Sequence, residues 1–242
     1  MNIKSLSIIF PFFNEEKRLK TSFQKLKKTL KDLKNINFEI ILVNDGSYDA
    51  SDKLIKKFIS NLNRKDKKKI KYISYKKNKG KGYALKKGVL NAKKKWILTC
   101  DIDFSAKPKS ILYWQKNNFI KSEKLCYFGS RRKFTKYIKY KLYRKILGDL
   151  FVGLSNLLLN IDVLDTQCGF KLYPKKIGKK IFREITEFGY VHDIEISILL
   201  KKKSINIMEL PLKWTHVSGS KLNIITDGTA MVFRLIALSL KY

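Results

Sequence analysis

Two kinds of hydrophobic pattern take turns along this chain: short unbroken apolar runs, and longer lysine-rich stretches with an apolar residue every third or fourth position. Leu6-Ser7-Ile8-Ile9-Phe10 is stopped by Pro11, and Phe38-Glu39-Ile40-Ile41-Leu42-Val43 by Asn44-Asp45-Gly46. Runs of this length, bounded by turn residues, predict parallel strands buried on both faces. Between them Leu19, Phe23, Leu26, Leu30 and Leu33 recur at helical spacing, which predicts an amphipathic crossover helix. The alternation continues with a helix over 50–62, a strand over 70–75, a helix over 82–92 and a strand over 96–100. Strands alternating with helices predict a doubly wound, mostly parallel α/β sheet flanked by helices.

The second half is less regular. A strand at 125–129 precedes a basic segment, a helix through 147–159, the stretch Asp165-Thr166-Gln167-Cys168-Gly169-Phe170, helices near 177–185 and 193–200, a strand at 205–210 and a terminal helix over 224–240. With 242 residues, 44% of them hydrophobic, only 4 Pro and 12 Gly, and no Ser/Gly-rich linker or internal repeat, the chain reads as one domain around one core.

Charge changes the picture. The 53 Lys+Arg against 20 Asp+Glu leave a net +33, which favours anionic partners: nucleic acid, phosphorylated ligands or an anionic bilayer. Lysine dominates and is spread over nearly every helix, as a solvated surface also would have it. A basic nucleic-acid-binding protein is therefore an alternative class, although no recognised DNA- or RNA-binding module occurs. Cys100, Cys126 and Cys168 are odd in number, far apart and without Cys-x-x-Cys spacing, so neither a disulfide framework nor a zinc site is indicated, and a reducing cytosol fits best. The start, Met1-Asn2-Ile3-Lys4, lacks the layout of a signal peptide, and no stretch reaches the roughly 20 apolar residues of a membrane span. A cytoplasmic protein is expected.

Four loops carry candidate chemistry. Asp101-Ile102-Asp103 follows the apolar run Trp96 to Cys100, placing two carboxylates at the carboxyl end of a strand, where open α/β sheets bind ligands. Such a pair can hold a hard divalent cation, and Mg²⁺ commonly takes one or two protein carboxylates plus substrate phosphates. Pro11-Phe12-Phe13-Asn14-Glu15-Glu16 joins the first strand to the first helix and is also explained by an Asn cap with acidic residues in the helix's first turn. Asn44-Asp45-Gly46-Ser47 is by itself a tight turn. Asn78-Lys79-Gly80-Lys81-Gly82-Tyr83-Ala84 opens a helix whose free N–H groups and dipole suit an anion, with Lys81 beside it, yet it does not match a P-loop. Cys168 reads as a small buried residue, and His192 and His216, lacking metal-ligand spacing, as structural.

In order, these loops resemble family 2 glycosyltransferases of the GT-A fold, whose markers are P-x-x-N-E, V-x-D-G-S, N-x-G-x-G-x-A and D-x-D. Gly129-Ser130-Arg131, Arg144, Asp165 to Tyr173, Asp193-Ile194-Glu195 and Trp214 to Leu222 look like the dolichyl-phosphate glucosyltransferase branch, close to dolichyl-phosphate mannosyltransferases; the resemblance spans residues 5–240. It implies a nucleotide-binding half over about 1–125 and an acceptor half over about 126–242. Base and ribose would then lie against Pro11, Asn14, Glu15 and Asp45, with Mg²⁺ or Mn²⁺ on Asp101 and Asp103. The implied reaction moves a hexose, glucose or, by the alternative, mannose from GDP-mannose, onto a polyprenyl or dolichyl phosphate with inversion. UDP-glucose is the expected donor. Arg131, Arg132, Arg144 and Lys221 are placed near phosphates, since arginine's planar fork matches their oxygens; Asp165 and Gln167 are placed near sugar or acceptor. Phe13 for the usual tyrosine, Phe104 where glucosyl members tend to have glycine, and His192 at a commonly aromatic position are departures that bear on the sugar.

The membrane helices of relatives are absent from this sequence. Peripheral contact with the cytoplasmic face of a membrane would fall to apolar stripes at Leu147, Leu150, Phe151, Leu154, Leu157 and Leu158, and at Met231, Val232, Leu235, Ile236 and Leu238, unless these pack into the core. An integral-membrane partner or a homo-oligomer is compatible with the same pattern.

Overall fold

A computed structural model describes residues 1–132, 142–217 and 226–242. Its elements are β1 (Ser5–Phe12), α1 (Glu16–Asp32), β2 (Asn37–Asn44), α2 (Ser51–Ser60), α3 (Arg64–Lys67), β3 (Ile70–Ser74), α4 (Lys81–Asn91), β4 (Trp96–Thr99), α5 (Ser110–Lys116), β5 (Cys126–Ser130), α6 (Leu142–Leu159), β6 (Lys171–Pro174), α7 (Lys175–Glu184), α8 (His192–Lys202), β7 (Ile207–Pro211) and α9 (Thr226–Lys241). The seven strands form one sheet in the order β3-β2-β1-β4-β6-β5-β7. All pairings are parallel except those of β6, which runs antiparallel to both β4 and β5.

Period-two alternation sorts the strand side chains onto two cores. Leu6, Ile8, Phe10 and Phe12 of β1, with Phe38, Ile40 and Leu42 of β2, face Leu19, Leu26 and Leu30 of α1, Ile55 and Phe58 of α2, and Trp114 of α5. Ile9, Ile41, Val43 and Ile97 face the other way, onto Leu85 and Val89 of α4 and a layer that includes Ile181, Ile194 and Leu235. The result is a helix–sheet–helix sandwich. Because β1, β2 and β4 are covered on both faces, their sequences read as continuous apolar runs.

The chain proceeds from β1 outward through β2 to β3, then returns across β1 to β4. That reversal is a topological switch point, and the carboxyl ends of β1 and β4 diverge there to leave a crevice. Asp101 and Asp103 lie on the loop immediately after β4.

The elements differ from the expected ones mainly in the second half. Strand β6 and the short helices α3 and α5 were not expected, and α6 begins five residues earlier, at Leu142. The second apolar stripe divides between core and solvent. Met231, Leu235 and Leu238 are buried in the core, while Phe233, Ile236 and Leu240 on the same helix face solvent.

Candidate functional site

The loop after β1 is stitched to the loop after β2. Asn14 adopts a left-handed φ of 52°, which asparagine tolerates better than most residues. Its Oδ1 accepts from the Tyr48 and Asp49 N–H groups, and its own N–H donates to Ser47 Oγ. Asn14 therefore does not cap α1; Glu15 occupies the N-cap position and makes no side-chain cap bond. Pro11 is buried within β1, in register with Val43.

Asp45 is closed around by donors. Its carboxylate accepts from Tyr75 Oη at 2.7 Å and from Asn78 Nδ2, Lys79 N and Gly80 N at 2.9 Å. Burial pushes the carboxyl up, and these four bonds, which favour the ion, pull the other way. The two N–H groups just ahead of α4, those of Lys79 and its N-cap Gly80, thus already have an anion, and it is internal. Gly80 makes this possible: its φ is +94°, and a Cβ there would lie 2.3 Å from the Phe188 carbonyl oxygen. Gly82 donates its N–H to that same oxygen, so α4 starts hard against the 187–192 loop.

Asp101 and Asp103 point into the crevice, their side chains 35% and 20% exposed. Lys81 Nζ lies 2.6 Å from Asp101 Oδ1. Burial would raise the Asp101 carboxyl, but the Lys81 ammonium outweighs it and holds the group below its ordinary range. A guanidinium nitrogen of Arg18 lies 3.5 Å from Asp103 Oδ2, and Arg18 Nε lies 2.8 Å from Glu15 Oε2. The loop itself is pinned by Lys25 Nζ on the Asp103 carbonyl and by the Ser105 N–H on Asp103 Oδ1. Phe104, buried with φ at 58°, sets its ring 5.0 Å from that of Phe10, tilted by 34°.

The pair fits a hard divalent cation. Both donors are carboxylate oxygens open to the crevice, and the space beside Asp101 exists because residue 169 is glycine: a Cβ there would come within 2.5 Å of Asp101 Oδ2. Among the described residues no third His, Cys, Asp or Glu completes a metal cluster, so remaining positions would go to a ligand's oxygens and water.

Across the crevice, Arg131 and Asp165 form a closed pair. Asp165 Oδ2 accepts from the Arg131 N–H and Nε at 2.8 Å, and Oδ1 from a terminal guanidinium nitrogen at 2.6 Å. Burial would raise the Asp165 carboxyl, but Arg131 holds it low. Trp214 lies under that guanidinium at 5.7 Å, and Glu209 accepts from the N–H groups of Leu164 and Asp165. Arg131, Arg132, Asp165 and Gln167, together with Phe151 and Val152 of α6, line a cavity of about 90 Å³. Gln167 Nε2 donates to the Tyr190 carbonyl at 3.3 Å. The Arg144 side chain, and Lys221 altogether, lie outside the described residues.

Behind Asp101 the interior is charged. Lys171, on β6, is buried, its ammonium 2.5 Å from Asp193 Oδ1 and 2.8 Å from the Thr166 carbonyl. His192 is buried with Nδ1 2.6 Å from the Gly189 carbonyl, and burial depresses its pKa, so the ring is neutral. Glu195 accepts from Thr186, Glu187, Lys241 and Tyr242, tying the end of α9 to the 186–187 loop. Cys168 is buried, and burial pushes its thiol up to about 12, so it supplies no thiolate.

Sequence reasoning therefore places Asn14, Glu15, Asp45, Lys81, Asp101 and Asp103 at one crevice and Arg131, Asp165 and Gln167 across from them. It misses Arg18, Lys25 and Lys171. A usable signal existed for the first: only seven of the 53 basic residues are arginine, and Arg18 lies one helical turn after Glu15.

An open α/β sheet with paired aspartates after β4, at its switch point, is the arrangement of a GT-A glycosyltransferase. The model of glycosyl transferase family 2 matches residues 7–182, and the chain belongs to that family. Dolichyl-phosphate beta-glucosyltransferase of Dictyostelium discoideum is 30% identical to this chain, over 98% of the chain and 74% of that protein. The proteins of that name from Saccharomyces cerevisiae and Homo sapiens are each 28% identical, over 98% and 99% of this chain and 75% and 76% of their own lengths. Among solved structures, glucosyl-3-phosphoglycerate synthase from Mycobacterium tuberculosis, in complex with Mn²⁺, UDP and glucosyl-3-phosphoglycerate, superposes with a TM-score of 0.65 at 15% identity, covering 98% of this chain and 78% of that one. Mannosyl-3-phosphoglycerate synthase from Rubrobacter xylanophilus gives 0.66 at 14% identity, covering 98% and 74%. At such identities the likeness is one of fold.

Proposed function

We propose that this glycosyltransferase moves glucose from UDP-glucose to a polyprenyl or dolichyl phosphate, with inversion at the anomeric carbon. The observation that carries the reading is the open Asp101/Asp103 pair at the switch point, in a chain 98% of which aligns with 74% of a dolichyl-phosphate beta-glucosyltransferase. The M. tuberculosis neighbour's complex with Mn²⁺ and UDP supports a divalent ion, Mg²⁺ or Mn²⁺, and a uridine nucleotide. Residues 1–125 would serve the nucleotide and 126–242 the acceptor, within a single domain.

Asp101 and Asp103 would hold the divalent ion, which supplies electrophilic neutralisation of charge on the departing diphosphate. Pro11, Asn14, Glu15 and Asp45 shape the wall against which base and ribose would lie, with Asp45 acting through the loop it anchors. Lys81, whose ammonium lies 2.6 Å from Asp101 Oδ1, would supply a cation to the diphosphate. An acceptor phosphate oxygen attacks the anomeric carbon as the carbon–oxygen bond to UDP breaks, and the electron pair leaves on UDP. A phosphomonoester has a second pKa near 6, so this oxygen is already ionised at neutral pH and needs no general base. Catalysis reduces to alignment and charge stabilisation. Arg131, Arg132, Gln167 and Asp165 line the acceptor side, with Arg144 and Lys221 as further cations for the second phosphate.

Among the described residues no helix is long and apolar enough to cross a membrane. Helices α6 and α9 pack on each other and turn Leu150, Leu157, Leu158, Phe233, Ile236 and Leu240 to solvent, which supports a peripheral seat on a membrane, in our proposal on its cytoplasmic face.

The test is transfer of label from UDP-glucose, UDP-N-acetylglucosamine or GDP-mannose to a polyprenyl phosphate in detergent with Mg²⁺ or Mn²⁺, scored by organic extraction. Lipid-borne label from UDP-glucose alone is expected; label from GDP-mannose alone reassigns the donor, and none from any donor overturns the acceptor.

A further inference from the structure

The two aspartates open to a metal each already face a cation of the chain's own. Lys81 reaches Asp101 from the first turn of α4, and Arg18 reaches Asp103 from the first turn of α1 while also holding Glu15. These contacts come from opposite layers of the sandwich, one helix on each face of the sheet. With Lys25 Nζ on the Asp103 carbonyl, three basic side chains balance the three carboxylates of Glu15, Asp101 and Asp103. Among these six groups the charges balance one to one.

This balance sets the condition for a metal. A divalent ion entering alone would bring two uncompensated charges into a partly buried site. An ion held by the oxygen that Lys81 contacts would lie within about 5 Å of that ammonium, given metal–oxygen distances near 2.1 Å. The diphosphate of a sugar nucleotide brings two negative charges, that of free UDP about three at neutral pH, and its oxygens are strong acceptors for both ammonium and guanidinium. Metal and diphosphate entering together leave the balance unchanged.

We propose that Lys81 and Arg18 are stand-in cations: they occupy Asp101 and Asp103 until a nucleotide diphosphate arrives, then transfer to its oxygens and release the carboxylates, so that the metal binds strongly only with the nucleotide. This rests on reading the aspartate pair as the metal site. It assigns the first turn of α1 to the binding machinery and gives the two cations one shared task. A dipositive ion about 5 Å from a unit charge is disfavoured by roughly tenfold even at the dielectric constant of water, and by more in a partly buried site.

The experiment is Mn²⁺ binding, followed by the loss of the free-ion paramagnetic resonance signal and by calorimetry, for wild type, Lys81→Met, Arg18→Met and the double variant, with and without UDP. Wild type should bind Mn²⁺ weakly alone and much more tightly with UDP. Each neutral variant should bind Mn²⁺ alone about tenfold more tightly than wild type, and UDP should tighten it less. Folded variants that bind Mn²⁺ alone no better than wild type overturn the proposal, as does wild type binding Mn²⁺ alone at micromolar or lower concentrations. Lys81→Gln and Arg18→Gln serve if the Met variants do not fold, and the wild-type measurement decides if neither set does. Absence of Mn²⁺ uptake by every protein, with UDP present, rejects the metal site itself.

Discussion

Breaking the pair between Arg131 and Asp165 should cost the protein more than the sequence suggests. Asp165 is 4% exposed at its side chain and takes three bonds from Arg131, whose side chain is 25% exposed. Removing one member of a buried ion pair typically costs about 3–5 kcal/mol, because the other charge stays behind unpaired. A quarter of the Arg131 side chain can still be hydrated, which reduces the figure for Asp165→Asn to about 2–3 kcal/mol. For a chain of this size that is roughly 5–10 °C in Tm. Arg131→Met leaves the carboxylate with one backbone donor from Arg131 and should cost at least as much. The double variant strands no charge, so its loss should fall short of the sum by about 2 kcal/mol, measured by urea unfolding as a double-mutant cycle. Additivity within about 0.5 kcal/mol would refute the pairing. The pH dependence has a definite sign. Burial alone would raise the Asp165 carboxyl, but Arg131 depresses it below the unfolded value of about 3.9. The stabilisation is therefore complete above that value and is lost as pH falls through the folded pKa. The gap between wild type and Asp165→Asn should hold steady from pH 8 to 5 and shrink below about pH 4.

Gly80→Ala should destabilise by more than about 2 kcal/mol in urea unfolding, since φ is +94° and the new Cβ would meet the Phe188 carbonyl at 2.3 Å; a loss below about 0.5 kcal/mol would contradict that contact. At position 104 the usual order of helix- and strand-neutral substitutions should invert: Phe104→Gly and Phe104→Ala both lose the buried ring, but Gly tolerates φ of 58° and should be the more stable by about 1 kcal/mol. Leu157→Asp with Phe233→Asp should abolish sedimentation with vesicles at high salt, where the chain's +33 is screened and apolar contact must hold it, while changing stability by less than about 1 kcal/mol, as those side chains are 80% and 73% exposed; unchanged sedimentation there would reject the α6/α9 face as a membrane seat.

What was legible in the sequence follows from where water is. β1, β2 and β4 are covered on both faces, so their apolar runs appear directly in the residues, and the loops that end them fall at the crevice by topology alone. β6 failed the same reading because it opens with Lys171. That ammonium is neutralised in the interior by Asp193, 22 positions away in the chain, and no local pattern announces the partner. α5 buries only Ile111 and Trp114, too few positions to display a period. On α9 the stripe read from spacing was real, yet spacing cannot say whether a face meets the core or solvent; the packed side holds Met231, Leu235 and Leu238 and leaves Phe233 outside.

The charged residues show the same limit more sharply, and it governs what the site does. Asp45 looks from its turn like a carboxylate awaiting a ligand, but four donors from residues 75–80 already satisfy it, so its effect on a nucleotide passes through the loop that it anchors. Lys17, Lys20 and Lys25 are alike in sequence as solvated charge on α1, and only the packing of that helix beside the loop after β4 selects Lys25, with Arg18, to touch Asp103. In a chain carrying +33, a positive charge conveys little by its presence. It acquires a role from the carboxylate that the fold sets opposite it, which is why neutralising Arg18 or Lys81 should change metal affinity while neutralising a solvated lysine on the same helices should not.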